Sequence, residues 1–474
     1  MDGDSPSLPA FLNVERSLSG KRWRPRLSEE RKGVAIAQKL GVPDILGRVL
    51  AARGVGIEEA EAFLDPKLRD LLPDPSHLLD MDIAVTRIVE AINAGEKIGV
   101  FADYDVDGAC SASLLVRFFA ALGRELLVYV PDRIVEGYGP NTPALLKLMD
   151  QGVSLVITVD CGTTAFAPLK EAADAGLDVV VIDHHVAEPT LPEAVAVVNP
   201  NRLDETSPVG QLCAAGMAFM LIIAINRALR DACWYGEGHG EPDLMNMLDL
   251  VALATVADVV PLTGVNRALV RQGLTVMARR DNAGIAALAD VSRLEEIPEA
   301  WHLGFMLGPR VNAGGRVGEA GLGVKLLTTM DIDEATGIAT RLDQYNTERR
   351  EIEAAVLEDA MTQAEQQVEA GAPLIFTSSD GWHPGVIGIV AGRLKEAFNR
   401  PACAVSIENG LCKGSGRSVR GVDLGSAVIA ALCLAIASLA HWYGGIVAFV
   451  FAIALAFVGN GEDRSFSPPA RWLA

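Results

Sequence analysis

The sequence predicts an α/β protein in which a parallel, doubly wound domain is joined by a long helix to a smaller, incomplete α/β domain. Three observations carry this expectation. Between about residues 80 and 200, apolar runs of β type alternate with amphipathic runs of helical period, the pattern of βαβ units in a parallel sheet. From about 332 to 370 the chain is rich in Glu, Gln and Arg and poor in Gly, as a solvated helix connecting two domains would be. At 372 a second α/β pattern opens, and after Asp423 it gives way to sequence with no charged residue until Glu462.

Residues 1–75 combine a basic cluster, KRWRPR at 21–26, a helical-looking segment over 29–53 and Pro-punctuated loops at 65–75, so they are expected to form a small N-terminal cap. The main domain is expected over 76–331. Its strands lie in KIGVFADYD, ELLVYVPD, SLVITVDCG, DVVVIDHH and AVAVVNP, separated by helices over 109–122, 141–150 and 165–176. Beyond 211 the apolar spacing becomes helical, as in Met217–Leu229 and Leu244–Ala257. The connecting helix takes 332–370. The partial second domain takes 371–431, with a strand in APLIFT (372–377), a helix near 385–398 and a strand at 402–407. Residues 432–474 form an aberrant apolar tail.

Composition narrows the function. The chain has 474 residues, half of them hydrophobic, which is enough to bury a sizeable core and excludes a disordered or fibrous protein. A formal charge of −20 argues against a protein that coats duplex DNA by charge alone, although a local basic groove is compatible with it. The seven cysteines contain no C-x-x-C pair, which fits neither a disulfide framework nor a zinc ribbon. A reducing compartment is expected. The opening MDGDSPSLPA has no basic region followed by an apolar core, so no secretory signal is visible and a cytoplasmic location is expected.

Three of the expected strands stop at acidic clusters: Asp103, Asp105 and Asp107 after the first, Asp160 after the next, and Asp183 with His184 and His185 after another. In open α/β sheets ligands bind outside the carboxyl ends of the strands, so these clusters should converge. A single Asp after a strand is ordinarily a helix cap or a turn former. Three coincident strand ends reverse that preference. Carboxylates with one or two imidazoles and no thiolate at metal spacing suit Mn²⁺ or Mg²⁺ better than structural Zn²⁺, and crowded negative groups call for a cation. Two ions are the economical reading. Asp258, interrupting the apolar helical run LATVADVVPL, is a further candidate ligand or a helix terminus.

The motifs DYDVDG (103–108), VDCGT (159–163), DHH (183–185) and ATVADVVPL (254–262), in this order, resemble the DHH phosphoesterase superfamily. PDRIVEGYG (131–139), GPRVNAGGR (308–316), GWHPGVIGIVAGRL (381–394) and GSGRSVRG (414–421) resemble more narrowly its single-strand-specific 5′→3′ DNA exonucleases of repair and recombination. The resemblance covers about residues 10–430. It implies a DHH catalytic domain followed by a DHH-associated domain, two bound Mn²⁺ or Mg²⁺ ions, and single-stranded DNA as partner, with a single-strand-binding protein or helicase as a further one. It implies that Asp105, Asp107, Asp160, His184 and Asp258 are metal ligands. Asp103 and His185 would lie in or just behind that shell, Asp160 would bridge the ions, and His185 would donate to a phosphate oxygen.

Arg133, Arg316 and Arg417 are expected in glycine-containing loops that bring guanidinium groups onto phosphate oxygens. Solvated surface arginine is the bland reading of each alone. His383 sits where a strand turns into a helix whose free N–H groups can take a phosphate. Other readings of the same residues are an oligonucleotide or cyclic-dinucleotide phosphodiesterase, a pyrophosphatase, or an inactive remnant tethered to a membrane by the tail. The resemblance also implies a Gly-Gly-Gly-His continuation after 425–431. In its place stand Ala427–Ala440 and Ile446–Val458, apolar and long enough to span a bilayer. A frameshift or truncated gene is the expectation there, ahead of a membrane anchor.

Overall fold

The computed structural model describes residues 10–428 apart from 19, 28, 237–239 and 409. Its residues divide into two compact units, Met1–Leu72 with Thr263–Ala268 and Pro73–Leu262 with Leu269–Ala474. The expectations for the tail at 432–474 lie outside the described residues.

In the first unit the segment expected to be helical over 29–53 is two helices, Glu30–Leu40 and Asp44–Ala52. Gly41 ends the first in the left-handed conformation at φ +64°, and Pro43 cannot continue it. Ile36, Leu50, Val55 and Ala60 form the buried centre of this unit.

The second unit holds a five-stranded parallel sheet made of β1 (Ile98–Ala102), β2 (Leu126–Tyr129), β3 (Leu155–Val159), β4 (Asp178–Ile182) and β5 (Ala196–Val198). The order is β2-β1-β3-β4-β5. Strands buried on both faces must be apolar throughout, which is why IGVFA and LVITV read as continuous runs. On one face Phe101, Val156, Val179, Val181 and Val197 pack against Leu145, Leu148, Leu169 and Ala172 of helices Thr142–Asp150 and Phe166–Asp174. Helices Met81–Ala94, Val106–Ala121 and Ala214–Asp231 also contact the sheet. The chain reverses direction across the sheet between β1 and β3, so their carboxyl ends open a crevice there.

The segment Leu244–Ala257 is a 3₁₀ turn, Leu244–Met247, followed by an α-helix, Leu248–Ala257. A helix of 38 residues, Ile332–Glu369, follows. Its first half buries Ala335, Ile338, Ala339 and Leu342. Val356, Ala360 and Ala364, spaced four apart on one face, enter the core of the second sheet with Ile375, Trp382, Val390 and Leu394. That sheet has β6 (Ile375–Asp380) parallel to β7 (Ala402–Glu408), and β7 antiparallel to β8 (Leu411–Arg417). Among the described residues, no helix is long and apolar enough to cross a membrane.

Candidate metal centre

The DYDVDG turn closes β1 and starts helix Val106–Ala121. Asp105 caps that helix: its Oδ1 accepts from the backbone N–H of Asp107 at 2.8 Å and of Gly108 at 3.2 Å. Gly108 is required by close approach, since a Cβ there would lie 2.4 Å from the Asp103 carbonyl oxygen. Asp107 points the other way, to the N-terminus of helix Ala214–Asp231, where the N–H groups of Ala214 and Ala215 reach its two oxygens at 2.7 and 2.8 Å. Asp160 follows β3 with φ +62°, an unusual conformation for a side chain that must be aimed.

These groups converge. His184 Nε2 lies 3.1 Å from Asp160 Oδ1 and 3.7 Å from Asp107 Oδ2, and its Nδ1 is 3.7 Å from Asp258 Oδ2. With the proton assigned to Nδ1, His184 donates to the Leu212 carbonyl at 3.2 Å and turns its Nε2 lone pair toward the carboxylates. Three sets of side chains have ligand atoms within 4.8 Å of one another: Asp103, Asp105 and Asp160; Asp107, His184 and Asp258; and Asp160, His184 and His185. Asp160 and His184 each belong to two sets.

The residues fit divalent cations. Asp103, Asp107 and Asp160 are buried, and one Asp103 oxygen is buried without a hydrogen-bond partner. Burial first, and then the charge of neighbouring carboxylates, pushes Asp103 and Asp160 well above the ordinary range and Asp107 up to about 6. An imidazole lone pair facing two carboxylate oxygens is likewise repulsive unless a cation lies between them. Carboxylate oxygens predominate across the three sets, with no more than two imidazoles in any of them, and such donors favour Mn²⁺ or Mg²⁺.

Asp183, in the same strand-end cluster, faces inward instead. It accepts from the backbone N–H groups of Thr163, His184 and His185 and from His185 Nδ1 at 2.7 Å. Burial alone would raise this carboxyl, but those bonds and the nearby imidazoles hold it well below the usual range. His185 gains correspondingly: burial works against its charge, yet the hydrogen bond and charge of Asp183 raise it to about 9.

The cavity of about 90 Å³ at this point is lined by Asp103, Tyr104, Asp105, Arg133, Tyr138, Asp160, His185, Asp258, Asn312 and Arg316. Its rim combines acids with guanidinium groups. Arg133 lies 5.2 Å from the Tyr104 ring centroid. Arg316, lowered to about 10 by burial and by repulsion from Arg133, donates to the Gly385 carbonyl at 3.3 Å. Arg417 is also lowered, by burial and then by Arg133. Cations that crowd one another in this way are arranged for an anion.

Two of the arginines are not in loops as expected. Arg316 occupies the last turn of helix Gly308–Val317, and Arg417 is the last residue of β8. GPRVNAGGR folds as a helix despite its glycines because they let it pack against other backbone. A Cβ on Gly315 would lie 2.6 Å from the Tyr104 carbonyl oxygen. Gly315→Ala should therefore displace the DYDVDG turn and weaken Mn²⁺ binding about tenfold, as measured by calorimetric titration. Unchanged affinity would contradict that coupling. His383 lies between β6 and helix Ile387–Phe398, and its Nδ1 already takes the Gly385 N–H at 3.0 Å, so one donor expected for phosphate is spent internally.

Sequence reasoning did not single out Tyr138, whose hydroxyl donates to the Asp160 carbonyl at 2.9 Å and approaches His185 Nδ1 at 3.2 Å. Nor did it single out Asn312, which accepts the Val106 N–H at 3.1 Å and ties the Gly308–Val317 helix to DYDVDG. Both lie inside quoted motifs, which was the only available signal.

Comparison with known proteins follows the same lines. The family model for the DHH family, N-terminal domain, matches residues 97–255, and that for the DHHA1 domain matches 371–434. The chain is 40% identical to the single-stranded-DNA-specific exonuclease RecJ of Dickeya dadantii over 395 residues, 82% of this chain and 68% of that one. It is 37% identical to RecJ of Bacillus subtilis over 411 residues, 86% of this chain and 50% of the relative, so it spans about half that protein's length. The crystal structure of RecJ from Thermus thermophilus in complex with Mn²⁺ is similar with a TM-score of 0.74 and 31% identity, covering 94% of this chain and 62% of that one.

Proposed function

The chain belongs to the RecJ family of single-stranded-DNA-specific exonucleases, and from that membership we propose that it hydrolyses single-stranded DNA from the 5′ end, in DNA repair and recombination, with two divalent ions held by Asp103, Asp105, Asp107, Asp160, His184 and Asp258. The convergence of Asp103, Asp105, Asp160 and Asp258 with Arg133 and Arg316 around one cavity carries the reading. Bound ions would supply an activated water and neutralise charge as the phosphodiester is attacked in line.

The remaining work falls to the chain's own groups. Asp160, grouped both with Asp103 and Asp105 and with His184 and His185, would hold both ions. The Leu212 carbonyl and the N–H groups of Ala214 and Ala215 fix His184 and Asp107 before substrate arrives, so no reorganisation is needed at reaction. His185, kept protonated near neutral pH by Asp183, donates to a non-bridging phosphate oxygen. Arg133, Arg316 and Arg417 hold the phosphate at the 5′ end, with His383 beside them.

Support for DNA over a small cyclic or pyrophosphate substrate comes from the second domain. Lys413 Nζ of β8 reaches the Ile134 carbonyl at 2.7 Å, and Arg316 meets Gly385. Together they bring the DHHA1 residues against the loop that carries Arg133 and the helix that carries Arg316, as a cleft for a strand requires. A single-strand-binding protein or helicase is a partner consistent with such a substrate. A reducing, cytoplasmic setting accords with six free cysteines among the described residues.

The test is incubation of 5′-labelled single-stranded DNA with the purified chain and Mn²⁺. Progressive release of label as mononucleotide is expected, and no release from single strands would overturn the reading. Arg133→Ala should raise KM by about ten- to hundredfold and leave kcat less affected, because the lost contact is a charge-assisted one to phosphate. A loss confined to kcat would assign Arg133 to the chemical step.

A further inference from the structure

The proposed metal centre makes no use of the basic cluster KRWRPR at 21–26. Residues 10–26 hold five basic residues, Arg16, Lys21, Arg22, Arg24 and Arg26, against one acid, Glu15, in a chain whose formal charge is −20. The segment folds back on itself as a hairpin. The Trp23 N–H donates to the Val14 carbonyl at 3.0 Å, and the Trp23 carbonyl accepts from the Phe11 N–H at 3.0 Å. Gly20, at φ +73°, closes the turn by donating to the Ser17 carbonyl at 2.8 Å. Glu15 receives the Arg22 guanidinium across the two arms at 2.5 and 3.2 Å.

Neither burial nor ion pairing accounts for what this hairpin carries. The main-chain bond from Phe11 to Trp23 sets two aromatic residues side by side, yet Phe11 is 49% exposed and Trp23 46%. The hydrophobic centre of this unit is drawn from residues 36–63, so neither ring belongs to it. Lys21, Arg24 and Arg26 are exposed as well. Arg22 takes the hairpin's one acid, and no ion pair among the described residues involves Lys21, Arg24 or Arg26. A single exposed aromatic residue is ordinary. Two of them, fixed together by the main chain and flanked by uncompensated cations, offer flat faces to unpaired bases and positive charge to phosphates. An acidic peptide would meet the cations but bring no planar partner to the rings, and a duplex keeps its bases stacked within itself.

We propose that the hairpin of residues 11–26 is a second binding surface for single-stranded DNA, on which bases stack against Phe11 and Trp23 while phosphates meet Lys21, Arg24 and Arg26. This rests on the single-stranded DNA reading above and adds a contact outside the acidic cavity, whose lining includes none of these residues. Every base has a face to stack, so the surface is tolerant of sequence.

The test is binding of fluorescently labelled (dT)20 to the full chain, followed by anisotropy over a range of salt, with EDTA present so that the strand is not consumed. Trp23→Ala should weaken binding about tenfold and keep the wild-type dependence on salt, whereas Trp23→Phe should bind within about threefold of wild type. Lys21→Ala, Arg24→Ala and Arg26→Ala combined should lower the slope of log affinity against log salt by about 2, three phosphate contacts being lost. Those three side chains are exposed, so the combined variant tests the surface even where Trp23→Ala fails to fold. Wild-type affinity and slope in the combined variant overturn the proposal. So does an equal loss of affinity for duplex DNA in Trp23→Ala, which would leave the ring no base to stack on, and so does displacement of (dT)20 by polyglutamate of the same charge, which would assign the cluster to an acidic peptide. A wild-type chain that neither binds nor, with Mn²⁺, cleaves (dT)20 overturns the DNA reading itself, and the hairpin with it. Hairpin variants that bind as wild type in a chain that cleaves (dT)20 overturn the hairpin alone.

Discussion

Asp160→Ala is expected to reduce hydrolysis of single-stranded DNA by at least about a thousandfold at saturating Mn²⁺. Asp160 is the carboxylate common to two ligand sets, and its oxygen lies 3.1 Å from His184 Nε2. In the proposed centre its removal would take a ligand from both ion positions at once, so added metal should not rescue the variant. Binding of the strand should persist in the same variant, because Arg133, Arg316 and Arg417 are untouched. Turnover of Asp160→Ala within about tenfold of wild type, measured with 5′-labelled single-stranded DNA, would remove Asp160 from the centre.

The second large effect is on stability, and its sign is opposite to that on function. Asp103 is buried beside Asp105 and Asp160, and one of its oxygens has no hydrogen-bond partner. Without a cation that arrangement opposes folding by like-charge repulsion and desolvation. Asp103→Asn should therefore raise the unfolding free energy of the chelator-treated protein by about 1–3 kcal/mol, seen as a higher midpoint in urea. The same variant should lose most of the stabilisation that Mn²⁺ confers on wild type, which is about 2.7 kcal/mol at a hundredfold excess over Kd. A metal-free Asp103→Asn protein less stable than wild type would mean that the carboxylate is satisfied within the fold and does not await an ion.

The parts of this arrangement that are local in sequence were legible there. Continuous apolar runs mark strands buried on both faces, and acids directly after such runs mark the carboxyl edge of a parallel sheet. Asp103, Asp160 and His184 could thus be assigned to one place before any coordinates. What the sequence concealed depends on contacts between distant segments. The glycines of GPRVNAGGR suggested a loop, whereas Gly315 gives its helix the clearance to lie against Tyr104, with Arg316 in its last turn. Asp183 looked equivalent to the other strand-end acids. Only the backbone N–H groups of Thr163, His184 and His185 gathered around it show that it organises the turn from within. The Leu212 carbonyl behind His184 and the Asn312 contact to Val106 come from segments far along the chain, and a backbone carbonyl has no signature in sequence at all. The break at Gly41 to Pro43 was by contrast present as two residue types with known preferences, and the helical period on either side masked it.

The most direct test of the central claim, that these strand-end side chains hold a pair of divalent ions, is an equilibrium titration of Mn²⁺ into the purified, metal-stripped chain, with free Mn²⁺ followed by electron paramagnetic resonance. Two ions per chain are predicted for wild type, with both affinities lowered in Asp160→Ala and one principally lowered in Asp258→Ala. A wild-type stoichiometry of one or none, or two ions bound undiminished by Asp160→Ala, would contradict the account.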